Sequence, residues 1–258
     1  ILPNYPDVAT QARALRAANT RANLENELFG MYMDDNFIAK AEAWKQRHGG
    51  KKAGYREMIP GDDFDLGEDG SALYYADWDV VGIMFRDWKP AQSHNISIQG
   101  TSGKTSYFLS VGYNHEEGVM TFNPDKLNKY NANMNVTSDI TNWLQIGGRF
   151  SYSDKAYTTP NTRRNTYTYM WRWGSFFGPY GTYQGIDMKN DIAYLKQAGD
   201  DKTNDSYTRI GAFLKATIIK GLTLNADYTF NINNKTTKSV GLPVICWNSW
   251  GGKLNSRS

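Results

Sequence analysis

From residue 93 onward, apolar and polar residues alternate with a period of two over six stretches. Ile96 and Ile98 alternate with Asn95, Ser97 and Gln99 in 94–99. Tyr107, Leu109, Val111 and Tyr113 oppose Ser106, Phe108, Ser110, Gly112 and Asn114 in 105–114. The contrast is cleanest in 130–137, where Tyr130, Ala132, Met134 and Val136 oppose Asn131, Asn133, Asn135 and Thr137. Leu144, Ile146, Gly148, Phe150 and Tyr152 form the apolar set of 143–154, opposed by a set that includes Arg149. Ile210 to Ile218 does so in 207–218, and Leu222 to Ile232 in 222–233, where Asn225 and Asn231 belong to the polar set. Such alternation predicts strands with one face against an apolar medium and the other against water.

Strands of globular proteins usually run about five or six residues. Several of these stretches run near ten, the length a tilted strand needs to cross a bilayer. The joins at 99/104, 138/143 and 219/222 are short, whereas those at 115/127 and 155/207 are long. Short turns alternating with long loops are the pattern of an outer-membrane barrel. Tyr113, Tyr130, Trp143, Tyr152 and Tyr207 stand at strand ends, where interfacial aromatic girdles lie.

Residues 1–92 have a different texture and are expected to form an extracellular loop region with short helices. One helix is predicted after Pro6 with Asp7 as its N-cap, and a second from Asp35 to Arg47, stopped by Gly49-Gly50. A third is predicted through 77–85, before Pro90. Residues 93–235 would then hold about six barrel strands, with a long extracellular loop at 156–206, and 236–258 would begin a further loop.

Composition narrows the picture without choosing between a membrane barrel and a soluble all-β protein. The 258 residues carry a formal charge of +3 with scattered Lys and Arg, which speaks against nucleic acid as a partner. The single Cys246 excludes an intramolecular disulfide framework and a multi-cysteine zinc site. No apolar run approaches the length of a membrane helix, and the mean hydropathy is −0.62. A β-barrel escapes such a scan, because only alternate residues face lipid. The chain begins at Ile1 without a signal peptide, so it is expected to be a processed product or an internal fragment.

Motifs of enzyme chemistry are weak, and a non-enzyme is expected. Gly100-Thr101-Ser102-Gly103-Lys104-Thr105 ends like a P-loop, but Ile98 stands where the first glycine is needed and a strand pattern follows instead of a helix. A hairpin turn at Ser102-Gly103 accounts for it. His48, His94 and His115 lack metal-ligand spacing. Asp63, Asp65 and Asp69 have some of the carboxylate density of a Ca2+ loop, yet Tyr74 stands where a bidentate Glu belongs, which favours a solvated acidic loop. The 156–206 loop concentrates Trp171, Arg172, Trp173, Phe176, Phe177, Tyr180 and Tyr183. Clustered exposed rings offer flat apolar faces to a ligand or to a partner protein, and the same rings could equally pack against neighbouring loops.

"DWDVVGIMFRDWKPAQSHNISIQGTSGKTSYFLSVGYNHEEGVM" at 77–120, "LNKYNANMNVTSDITNWLQIGGRFSYS" at 127–153 and "IIKGLTLNADYTFN" at 218–231 together resemble the SusC/RagA family of TonB-dependent outer-membrane transporters of Bacteroidetes. The resemblance implies an antiparallel transmembrane β-barrel segment, part of a plugged barrel of about 22 strands, with long, partly helical extracellular loops. It further implies a SusD-like surface lipoprotein, the TonB-ExbB-ExbD energy-coupling system and outer-membrane lipid as partners, and an oligosaccharide or peptide as cargo. Asn131, Asn133, Asn135, Arg149, Asn225 and Asn231 would then face the lumen. A passive or adhesive barrel without TonB coupling is the alternative expectation.

Overall fold

The computed structural model describes residues 5–28, 31–68, 70–169, 179–248 and 255–257. In chain order the helices are α1 (Val8–Arg21), α2 (Asp35–Arg47), α3 (Val80–Met84), α4 (Arg163–Tyr169) and α5 (Asp191–Lys196). The long strands are β5 (Ala91–Ser102), β6 (Thr105–Glu117), β7 (Lys126–Asp139), β8 (Leu144–Pro160), β11 (Asp200–Ile219) and β12 (Leu222–Ser239). Short two-stranded ribbons complete the set: β1 (Glu27–Leu28) with β2 (Met31–Tyr32), β3 (Phe64–Leu66) with β4 (Ala72–Tyr74), β9 (Thr182–Tyr183) with β10 (Ile186–Asp187), and β13 (Cys246–Asn248) with β14 (Asn255–Arg257).

The six long strands form one antiparallel meander in the order β12-β11-β8-β7-β6-β5, so the all-β, antiparallel expectation holds. They are longer than the hydrophobic contrast alone suggests, reaching 17, 20 and 18 residues in β8, β11 and β12. The pairing of β8 with β11 continues as far as Pro160↔Asp200. In that extension both faces are polar, so no apolar period marks it in the sequence. The turn between β5 and β6 has two residues, with Ser102 paired to Thr105 and Gly103 at a φ of +58°. Positive φ at the first central position is what a type II′ hairpin requires, and glycine supplies it without strain.

Above the loop end of this sheet, the N-terminal region folds into a cap with its own core. The helices start as expected: Asp7 caps α1 by accepting from the Thr10 N–H at 2.9 Å, and Asp34 caps α2 by accepting from Phe37 N–H at 2.7 Å. The third helix is shorter than the 77–85 expectation. Asp79 is its N-cap, accepting from Gly82 N–H at 3.0 Å. Trp78 instead sits in an extended bridge beside Ala53 and is fully buried. Val8, Ala12, Phe37, Trp44, Phe64, Tyr74, Trp78 and Met84 pack together with Met120 from the β6–β7 loop and with Tyr180, Met188, Ile192 and Leu195 from the β8–β11 connection. The long loops are thus held down by one hydrophobic core rather than standing separately in water.

Candidate functional site

Two features stand out: a sheet with two chemically distinct faces, and the polar anchors that hold the cap together. Alternation along each strand and uninterrupted register through β5, β6, β7 and β8 sort the side chains into cross-strand rows. One face carries Ile98–Leu109–Met134–Phe150–Ile210–Phe230 in a single row across all six strands. Adjacent rows add Ile96, Val111, Ala132, Tyr152 and Ile232 on one side, and Tyr107, Val136, Gly148, Ala212 and Tyr228 on the other. Among the described residues much of this face is left open: Ile96 and Tyr228 are 73% exposed and Phe230 is 53% exposed, while Phe150, Val136 and Tyr152 are half-buried.

The opposite face carries Asn131, Asn133, Asn135, Arg149, Asn225 and Asn231 together. Several of its hydrogen bonds run between strands. The Ser151 hydroxyl donates to Asn133 Oδ1 at 2.8 Å, and Asn133 Nδ2 donates to the Ser110 hydroxyl at 3.4 Å. Arg209 Nε and the Tyr207 hydroxyl both donate to Asn231 Oδ1, at 3.0 and 2.9 Å. Arg149 pairs with Asp227 at 3.0 Å, and its guanidinium lies 4.6 Å from the centre of the Phe213 ring. That ring lies across Gly147, where an added Cβ would meet it at 2.2 Å. The close approach therefore requires glycine there.

Aromatic residues near the ends of the apolar band fall on both faces. Tyr113 and Tyr130 sit side by side on the apolar face with ring centres 5.0 Å apart, and Trp143 is exposed at the β7–β8 turn. Tyr207, assigned to the same girdle from sequence, lies on the polar face, because its position in β11 is one residue out of phase with Thr208 and Ile210.

In the cap, Asp63 is completely buried and takes a bidentate pair from Arg56 at 2.5 and 2.7 Å. It also accepts from the Ile59 N–H at 2.8 Å and from Trp44 Nε1 at 3.0 Å. Burial pushes this carboxyl up, but the Arg56 hydrogen bonds, the Ile59 and Trp44 donors and the Arg56 charge outweigh it and hold it below the usual carboxylate value. Asp65 is held low first by its hydrogen bond from Lys40, against partial burial, and it also accepts from the Tyr75 hydroxyl at 3.0 Å. The stretch is thus an anchored segment rather than a solvated acidic loop. Asp63 and Asp65 point to different cationic partners, and Asp69 lies outside the described residues. His48 Nε2 contacts Asp62 at 3.0 Å, and these two with Asp63 are the one His/Asp group close enough for a metal among the described residues. The bidentate Arg56 occupies Asp63, so a cation there would have to displace a guanidinium, and the donor set does not fit Ca2+.

A second anchor joins the β8–β11 connection to the N-terminal region. Lys196 Nζ donates to Asp187 Oδ1 at 2.8 Å and contacts the Tyr55 hydroxyl at 2.5 Å, while Tyr55 also donates to Asp187. Nothing in the local sequence marks this trio, since Tyr55 and Asp187 are 132 positions apart.

Of the loop residues singled out from sequence, Tyr180 is 1% exposed and Tyr183 packs against Phe64 and Trp247, with ring centres 5.2 and 5.8 Å away. Both rings serve the cap core. Trp171, Arg172, Trp173, Phe176 and Phe177 lie outside the described residues.

One carboxyl in the cap behaves differently. Burial pushes Asp191, in the first turn of α5, up to about 7. An unfolded Asp ionises near 4, so between pH ~4 and ~7 the unfolded chain releases a proton that the folded chain retains. Stability therefore falls as pH rises through that window and levels off above it. Asp191→Asn is expected to raise cap stability at pH 8 by on the order of 1–3 kcal/mol and to leave it unchanged at pH 4. Thermal unfolding of the full-length protein at the two pH values checks this.

No family model matches the chain, and no curated protein matches it. Among solved structures, it is similar to the RagAB peptide importer. Against the "open-open" state the TM-score is 0.55 at 18% identity, covering 90% of this chain and 26% of that one. Against the "closed-closed" state the TM-score is 0.51 at 21% identity, covering 66% of this chain and 20% of that one. The chain thus spans about a quarter or less of the length of these transporter chains, and what it shares with that part of them is the fold.

Proposed function

We propose that this chain is one strip of the wall of a SusC/RagA-like outer-membrane importer, with 93–235 supplying barrel strands and 1–92 belonging to the extracellular loops. The observation that carries this reading is the largely open apolar face. From Leu222 to Ile232 the apolar side of β12 spans about 33 Å along the strand, or about 25 Å at a barrel tilt near 40°. That matches the height of the lipid-facing band of outer-membrane barrels. A water-exposed surface of this extent and apolarity would drive aggregation, whereas lipid covers it at no cost.

The two edges support the same reading. Among the described residues, β5 and β12 each have one neighbour, which leaves two long, flat edges. Closed barrels remove such edges by pairing them with further strands. The polar face would then line the lumen and contact a plug, water and passing cargo. The cap, joined by the Arg56–Asp63 and Lys196–Asp187 pairs, would stand outside the cell, where a SusD-like lipoprotein could meet it. Trp171, Arg172, Trp173, Phe176 and Phe177 are proposed as contacts for a ligand or for that lipoprotein. The cargo would be a nutrient oligomer, a peptide or an oligosaccharide. The likeness to a peptide importer favours peptide.

Active import requires energy delivered through TonB. In cells expressing the full-length protein, uptake of a labelled oligopeptide or oligosaccharide is expected to be lost on deleting the gene and on collapsing the proton-motive force. A passive or adhesive barrel, the second reading, would leave uptake unchanged by the uncoupler.

A further inference from the structure

Charge is distributed unevenly over the polar face. A row near its loop end reads Asn114–Lys129–Lys155–Asp205–Lys235 across β6, β7, β8, β11 and β12; the two rows outward of it hold Glu116, which pairs with Lys89 at 3.3 Å, and Asp201, which accepts from Ser239. Two rows further from the cap than Lys129 stands Arg209, and one row beyond it Arg149. Asp205 is the only carboxylate in the four rows from Lys129 to Arg149. Arg149 is neutralised from the row below by Asp227 at 3.0 Å, and Arg209 bonds the neutral Asn231.

The row with Lys129 keeps an excess of cations: Asp205 stands directly opposite both Lys155 and Lys235 but forms an ion pair with neither, and Lys129 faces no carboxylate. Lys129 and Lys155 are direct cross-strand partners, and like charges placed directly opposite destabilise a sheet. Both are exposed, and among the described residues no carboxylate lies within 4 Å of the ammonium group of Lys129, Lys155 or Lys235. Lys129 is adjacent to Tyr130, the last ring of the apolar face on β7, so this row lies at the mouth of the proposed lumen. Arg209 is four residues deeper along β11 than Asp205, about 13 Å. The cations thus form a descending series from the cap side inward.

We infer that this face receives a carboxylate-bearing oligomer, drawn to the Lys129–Lys155 pair at the mouth and handed on to Arg209. The inference rests on the reading of the polar face as a lumen wall. An anion between the two lysines offsets their repulsion, and exposed cations lining a cleft raise the local concentration of anionic ligands. Acidic peptides and oligouronides share this chemistry, and the test separates them.

The test uses the full-length protein in its native outer membrane, with fluorescent octamers of matched length: a glutamate-rich peptide, a lysine-rich peptide and an oligogalacturonate. Uptake of at least one of the two anionic probes is expected to exceed that of the lysine-rich peptide by about tenfold at low salt. The excess should shrink as salt screens the exposed charges. In the K129Q/K155Q double variant the preference is expected to fall to about threefold or less, with normal heat-modifiable mobility showing that the barrel is assembled. Which anionic probe is taken up identifies the backbone of the cargo. Equal uptake of acidic and basic octamers by the parent protein would overturn the inference while leaving import intact. So would a double variant that becomes leaky to small solutes with its preference unchanged, since the lysines would then be holding a plug. Failure of the parent to take up any probe would count against the import reading itself, and the inference would fall with it.

Discussion

Arginine in place of Met134 is expected to remove most of the assembled protein from the outer membrane, whereas arginine in place of the adjacent Asn133 is expected to leave it there. The two positions are consecutive in β7 and project from opposite faces of the sheet. Met134 lies in the middle of the apolar side of its strand, between Leu109 and Phe150. A guanidinium facing lipid near the bilayer centre costs roughly 2–4 kcal/mol in barrels of this kind. At position 133 the new side chain would share a water-accessible face with Ser110 and Ser151 and lose the Ser151 bond, a cost of about 1 kcal/mol. Membrane-fraction abundance and heat-modifiable mobility in SDS gels read both outcomes. Equal loss from both variants would mean that the two faces do not differ in environment.

The second large effect concerns the cap. Arg56→Ala would leave the fully buried Asp63 carboxylate with only the Trp44 and Ile59 donors. Removing one partner of a buried ion pair typically costs about 3–5 kcal/mol, because the remaining charge has neither solvent nor counterion. The cap is therefore expected to become protease-sensitive while the barrel strands remain resistant. The defect should be worse at pH 8 than at pH 5, since protonation relieves the orphaned charge. Replacing both members, Arg56→Met with Asp63→Leu, is expected to restore most of the resistance, as apolar replacements of buried pairs often do. Persistent sensitivity of the double variant at the level of Arg56→Ala would show that Trp44 and Ile59 need the carboxylate itself as their acceptor.

The sheet and the first two cap helices were largely legible in the sequence and the packing of the cap was not, for a physical reason. A strand between lipid and water shows its environment every second residue, so Tyr130 to Thr137 displays its two faces directly. The same logic fails where both faces are polar, as in the outer reaches of β8 and β11, which carry no apolar period. It also misplaced Tyr207, whose aromatic character suggested the girdle although its phase in β11 puts it on the polar face. The cap depends on partners far apart in the chain: Arg56 with Asp63 and Trp44, and Tyr55 with Asp187 and Lys196. Nothing local announces such pairings. Asp63 read as part of an acidic loop because its neighbours are acidic, yet its burial and its guanidinium make it the anchor of the N-terminal region.

The two-faced wall is tested most directly by spin labels placed one at a time at residues 130–137 of the full-length protein in outer-membrane vesicles, with collisional access to oxygen and to a water-soluble nickel complex measured at each. Oxygen access is expected to peak at 130, 132, 134 and 136, and access of the nickel complex, where the lumen admits it, at 131, 133 and 135. A flat profile, or nickel access highest at 132, 134 and 136, would show that lipid does not cover the apolar face and that this sheet is not a membrane wall.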